Sequence, residues 1–202
     1  GESIYRYNTV SNVYIEKGYD GINYKSDELY HGSKILVRKT GVGITAGMDY
    51  KNCLTNQVVY IFKRKKEIAS CITNEVILAV INSRVITYYL IVMNGCNGWK
   101  THSYLSQKDV ATLPFPNIDF SNVKTMELLK ELTLLVKRNS NGKADDFPKN
   151  ADIRIERIMA YLFGLNKKDY KVILNTIKSV QQMIPFKRLV NITENEIFSN
   201  GI

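Results

Sequence analysis

Three short stretches carry the side chains best suited to meeting a polyanion. Arg38-Lys39-Thr40 stands beside Gly41-Val42-Gly43, and Lys63-Arg64-Lys65-Lys66 follows a run of β-branched and aromatic residues. Trp99-Lys100-Thr101-His102-Ser103-Tyr104 mixes donors with rings. Arg and Lys neutralise phosphates and read guanine edges, while Asn and Gln read adenine. Arg38 closes a short apolar stretch, so a rigid strand end can aim its fork at a guanine or a phosphate; a salt bridge capping the sheet is the alternative. Four flexible charges in a row, as at 63–66, suit general phosphate attraction instead. A solvated surface explains any one cluster as well as a contact does. Three clusters in a chain of 28 basic and 19 acidic residues, net charge +9, favour the contact.

Other chemistries find little support. There is no G-x-x-x-x-G-K-[ST] phosphate loop and no G-x-S-x-G nucleophile elbow. The four prolines, Pro114, Pro116, Pro148 and Pro185, do not form the Asn-Pro-Pro-Tyr type motif with which a methyltransferase clamps a flipped base. Gly41-Val42-Gly43 lacks a third glycine and reads as a hairpin turn. Cys53 or Cys96 with His102 is a conceivable nucleophilic pair, with no supporting local pattern. A metal-dependent nuclease needs converging carboxylates. The densest acidic spots, Asp145-Asp146 and Glu194 with Glu196, lie in polar segments that read as solvated surface. Three cysteines and two histidines without a C-x-x-C pair argue against zinc, and no metal site is expected.

The 202 residues, 45% of them hydrophobic and 10% aromatic, suffice for one domain with an appendage. The unpaired thiols suit a reducing cytoplasm. Gly1-Glu2-Ser3 without a Met reads as the start of an excised fragment. Only residues 76–93 raise a membrane question. Arg84 in their middle, costly on insertion scales, favours a buried helix and no membrane partner.

Residues 10–16, 34–38, 44–48 and 57–62 have the composition of strands. Thr73 or Asn74 caps one central helix from Glu75 to Asn94-Gly95, apolar on nearly every face. Residues 94–118 read as irregular. From Ser121 three helices follow, with Asn139-Ser140-Asn141-Gly142 and Gly164 as stops and Asn166 as a cap. The tail after Asn191 is expected to fray. The fold class is therefore α+β: a twisted mixed β-sheet core around a buried helix, with a C-terminal helical appendage. The divisions are 1–118 for the core, 119–182 for the appendage and 183–202 for the tail.

Five segments in this order resemble TaqI-like C-terminal specificity domains. They are Lys34-Ile35-Leu36-Val37-Arg38-Lys39-Thr40-Gly41, Thr55-Asn56-Gln57-Val58-Val59-Tyr60, Leu78-Ala79-Val80-Ile81-Asn82-Ser83 with Tyr88-Tyr89 beyond it, Leu113-Pro114-Phe115-Pro116, and the helix 155–165 ending Phe163-Gly164-Leu165. Phe163 stands where that family usually has Tyr. The resemblance spans residues 34–177; residues 1–33 match nothing in it. It implies a non-catalytic target-recognition domain that binds double-stranded DNA in a bacterial restriction-modification enzyme of type II or IIG. The alternatives are half of a type I specificity subunit, or a small metal-dependent nuclease. A methyltransferase domain in the same or a partner chain would hold S-adenosylmethionine, and this chain would hold no cofactor. The candidate DNA contacts, drawn mainly from the basic clusters, are Arg38, Lys39, Thr40, Asn56, Lys63, Arg64, Lys65, Lys66, Lys100 and His102.

Overall fold

The computed structural model describes residues 3–10, 18, 20, 21, 23–101, 104–140, 147–183, 186–199 and 201, with their side chains except at 94–101 and 186. Strand β1 (Lys34–Arg38) lies between β2 (Ala46–Asp49) and β3 (Val59–Phe62) and runs antiparallel to both. The chain is α+β as expected, but these strands make an antiparallel sheet where a mixed one was anticipated. Only residues 39–45 join β1 to β2, and a parallel crossover needs about a dozen or more. Parallel pairing is confined, among the described residues, to one bridge between Tyr7 and Gly47.

Side-chain alternation along β1 sorts the core. Ile35 and Val37 enter the main hydrophobic cluster, while Leu36 meets Ile4 and Val59 on the other face. The outer edge of β2 is covered by the N-terminal segment: Tyr7 N–H donates to Ala46 O (2.8 Å) and Met48 N–H to Tyr7 O (3.0 Å). The approach is close. A Cβ on Gly47 would lie 2.3 Å from Asn8 O, so only glycine fits there. The expected strand at 10–16 falls mostly on residues outside those described.

A short helix, α1 (Asp27–Tyr30), precedes β1. After β3, the anticipated single central helix is two: α2 (Asn74–Ile81) and α3 (Arg84–Thr101), bent by 50° up to Met93. Thr73 Oγ1 caps α2 by accepting from Val76 N–H. The break at Asn82-Ser83 has a physical cause, because the Asn82 amide and carbonyl and the first N–H of α3 find distant partners. Buried Asn82 exchanges two hydrogen bonds with the Ala46 backbone, Nδ2 to O at 2.9 Å and N–H to Oδ1 at 3.2 Å. Its carbonyl accepts from Arg6 Nε, a cation at the C-terminus of α2. The Arg84 N–H points at the Glu156 carboxylate, an anion at the N-terminus of α3. Helix α3 then runs on through Gly95 and Gly98 to Thr101, where a stop was expected.

The later helices are α4 (Gln107–Ala111), α5 (Val123–Asn139), α6 (Lys149–Leu162), α7 (Lys167–Ser179) and α8 (Glu194–Phe198). Leu128 and Leu132 of α5 and Ile155 and Ile158 of α6 join the cluster built by Val76 and Leu78, so the hydrophobic core is continuous across residues 118 and 119. Helix α7 packs on α3. Its Tyr170, Ile173 and Ile177 form a second cluster with Ile91, Leu189, Ile192 and Ile197. The tail is thus folded where fraying was anticipated. Ile197 is fully buried, Thr193 and Glu196 form a capping box, and Arg157 donates from Nη2 to Glu196 O (2.9 Å).

Among the described residues no single helix is long and apolar enough to cross a membrane; α2 with α3 to Met93 passes that test only as a bent pair. Arg84 in that pair is fully buried and bonded to Asp152 (2.8 Å) and Glu156 (3.0 Å).

Candidate nucleic-acid interface

Strand register places four of the anticipated contacts together. Arg38 ends β1 opposite Val59, and Lys39 N–H continues the pairing to Val58 O. Asn56 stands just before that point, its Oδ1 accepting from Val58 N–H (3.2 Å). On the same side Lys39 O accepts from Leu105 N–H (2.7 Å), and Thr40 bridges to Tyr104. The site therefore gains Tyr104, which is 58% exposed. Lys39 Nζ lies 4.5 Å from the centre of the Tyr60 ring, a cation–π contact. The Tyr60 and Tyr104 hydroxyls meet at 3.4 Å, and that bond, with burial, pushes Tyr60 up to about 12.

Lys25 completes this rim. Its Nζ donates to Thr55 Oγ1 (2.9 Å) and Asn56 O (3.0 Å), holding the loop that presents Asn56. Burial and then the Lys39 charge pull the Lys25 ammonium below its usual value. Beside the rim a cleft of about 230 Å3 opens between residues 4–6, the turn after Arg38, Asn82, Thr87 and Arg188-Leu189. The alternative for Arg38, a salt bridge capping the sheet, is not seen: no acidic side chain pairs with it among the described residues, and its Nε is buried without a hydrogen-bond partner.

The cluster 63–66 lies at the opposite end of the sheet, since Phe62 pairs with Ile35 near the start of β1. The two ends are roughly 14 Å apart at about 3.4 Å per residue. Lys63 Nζ donates to Glu28 O, and Arg64 N–H donates to Asn74 Oδ1 (2.8 Å), so these two also tie loops together. Lys65 and Lys66 are exposed. The remaining anticipated contacts are undescribed in part: Lys100 lies in α3 but its side chain is outside the described set, and His102 is outside it altogether.

Behind the cleft sits a buried charge network. Arg6 bonds Asp152 (2.7 Å) and Glu156 (3.3 Å), and Arg84 bonds the same two carboxylates. Tyr170 O–H donates to Glu156 Oε2 (2.6 Å), and Arg84 Nε to Leu189 O (2.7 Å). Burial alone would raise the Asp152 pKa; Arg6 and Arg84 outweigh it and hold the carboxyl well below the usual carboxylate range. Two cations balance two anions here. Among the described residues no three His, Cys, Asp or Glu side chains are placed to share a metal ion. Glu196, one of the acidic candidates, is engaged in its cap and in an ion pair with Lys149 (2.7 Å).

Lys25 had no signal in the local sequence, and Tyr104 stood out there only as a member of the cluster that runs from Trp99. Both come to the rim only through pairing with distant residues. The fold and rim together define a class, an α+β domain that presents cations, amides and aromatic hydroxyls at one end of a small antiparallel sheet. Residues 1–115 match the family model of the TaqI-like C-terminal specificity domain, and the chain belongs to that family. The match takes in residues 1–33, which had seemed unrelated, and it ends before helix 155–165, which had seemed to belong. A search of curated proteins found no match to the chain. It is accordingly a specificity domain of the kind found in restriction-modification enzymes.

Proposed function

We infer that this chain reads sequence in double-stranded DNA on behalf of a restriction-modification enzyme, with the sheet rim as its reading edge. The observation that carries this is the convergence of Lys25, Lys39, Thr40, Asn56 and Tyr104 from four parts of the chain at one end of β1 and β3. The set combines the two functions such an interface needs. Cations hold the backbone, and an amide and hydroxyls can exchange hydrogen bonds with base edges. The rim is anchored on strands, which hold a donor in place better than a free loop does.

The reaction belongs to a methyltransferase domain, in the same or a partner chain, which would also hold S-adenosylmethionine. The cleft beside the rim does not fit that cofactor: three arginines line it, and S-adenosylmethionine carries a positive sulfonium. The test is selection from a randomised duplex pool with the isolated chain, followed by anisotropy titrations over a range of salt. An enriched motif, with log affinity falling linearly against log salt, supports the reading. No enrichment and a flat salt dependence would sink it. Supercoiled plasmid given divalent metal should stay un-nicked.

A further inference from the structure

The cleft beside the rim has a chemistry of its own. At about 230 Å3 it falls below the roughly 300–1,000 Å3 of sites for larger organic ligands. Arg6, Arg38 and Arg188 line it together with Thr40, Thr45 and Thr87, and among the described residues no Asp or Glu lines it. Arg6 is committed to Asp152 and Glu156. Arg38 is different: it has no acidic partner among the described residues, and its Nε is a buried donor without an acceptor. An unpaired buried donor is costly, and a guanidinium keeps its charge throughout the physiological range, so this fork suits an acceptor that arrives from outside. The turn above it passes close. Gly41 has φ +114°, and a Cβ there would stand 3.8 Å from Arg38 Nη2.

We propose that the cleft is a site for a tetrahedral oxyanion, and that its occupant in the working complex is one backbone phosphate of duplex DNA. Only the source of the phosphate rests on the DNA-reading role; the anion site rests on the cleft itself. A phosphate seated on Arg38 fixes the height at which Lys39, Thr40 and Asn56 meet the bases, because phosphate contacts set register while base contacts specify. Its walls come from residues 4–6, the turn after β1, the α2–α3 break and Arg188-Leu189. The last pair lies beyond the residues matched by the family model.

Thermal melting of the chain in sodium phosphate and in sodium chloride, at equal ionic strength, tests the site. Phosphate should raise the melting temperature of the wild type saturably by a few degrees, Arg38→Gln should abolish the rise, and Arg38→Lys should keep part of it. No rise in the wild type, or an equal rise in Arg38→Gln, overturns the site. A measurement on unaltered protein guards against a misfolded variant. Phosphate should slow phenylglyoxal labelling of Arg38 several-fold and leave exposed Arg138 unchanged; equal slowing at both also overturns it. For the source, Arg38→Gln should make the salt slope on random duplex shallower by about 0.9, the value of one phosphate contact. An unchanged slope on a chain that binds both phosphate and DNA overturns the DNA half of the proposal. Saturable phosphate binding in a chain with no DNA affinity supports the anion site and sinks the reading role alone.

Discussion

Lys34 and Arg38 stand at the two ends of β1, and in sequence each is simply a basic strand end. Lys34 is fully buried, ion-paired to Asp49, and donates to Tyr30 O (2.7 Å). Asp49 in turn accepts from the N–H groups of Lys51 and Cys53, both at 2.8 Å. That end is closed, with charge cancelled by charge. Arg38 is half-buried beside a cleft, without an acidic partner among the described residues. The difference teaches that a strand end becomes a candidate binding element by what is left uncompensated there. The charge itself is the same at both ends. Exposed lysines sit near the closed end as well, at 65 and 66. About 14 Å of strand separates the ends, against a Debye length of about 8 Å at physiological salt, so they act nearly independently.

The contrast can be broken most forcefully at the closed end. Asp49→Asn leaves Lys34 as a buried, unpaired charge, and the expected loss is about 3–5 kcal/mol. For a chain of this size that is a fall in melting temperature of roughly 10 °C. DNA affinity of the folded fraction should stay unchanged, and weakened binding with intact melting would reverse the assignment of the two ends. Next, Asn82→Leu removes the amide that completes the edge of β2 and should cost about 1–3 kcal/mol. Calorimetry checks this, and lost binding without lost stability would make Asn82 a contact residue.

The wall behind the cleft gives a pH signature. Asp152 has a folded pKa below its unfolded value, so its contribution is present in full above the ordinary carboxylate range and is lost as pH falls through and below it. Chemical denaturation at stepped acid pH should show stability declining in the wild type and a flatter profile in Asp152→Asn. At the rim itself, Asn56→Ala should lower discrimination at one base position by about 1–3 kcal/mol and leave random-duplex affinity nearly intact. The smallest effect belongs to Lys65 and Lys66. Replacing both with Gln should weaken cognate and random duplex alike and shallow the salt slope, with no change in selected motif.

Much of the architecture was legible because its signals are local. The Thr73 and Asn166 caps, the Gly164 stop and the β-branched strands depend on neighbours within a turn or two. The α2–α3 break was not, although Asn82-Ser83 was conspicuous in an apolar run. Its causes, Ala46 and Glu156, lie 36 and 72 residues away. The tail was misread because its polar residues outweighed the spaced Leu189, Ile192 and Ile197, which were the available signal. At the candidate rim, sequence singled out Arg38, Lys39, Thr40 and Asn56, and Tyr104 in a separate cluster, but only strand register could set these apart from 63–66 and bring Tyr104 and Lys25 beside them.

The Arg84 network also sets a schedule for how the protein is made. Arg84 meets Glu156 across 72 residues and Asn191 across 107. At about 5–20 residues per second, roughly 4 to 14 seconds of translation separate the appearance of the arginine from that of its glutamate. Through that interval α2 and α3 are complete in sequence while the α6 carboxylates and the tail that seal their junction are still unmade. Nascent chains arrested before residue 150 should therefore be cut readily by protease near residues 82–84, and chains carried past residue 191 should resist.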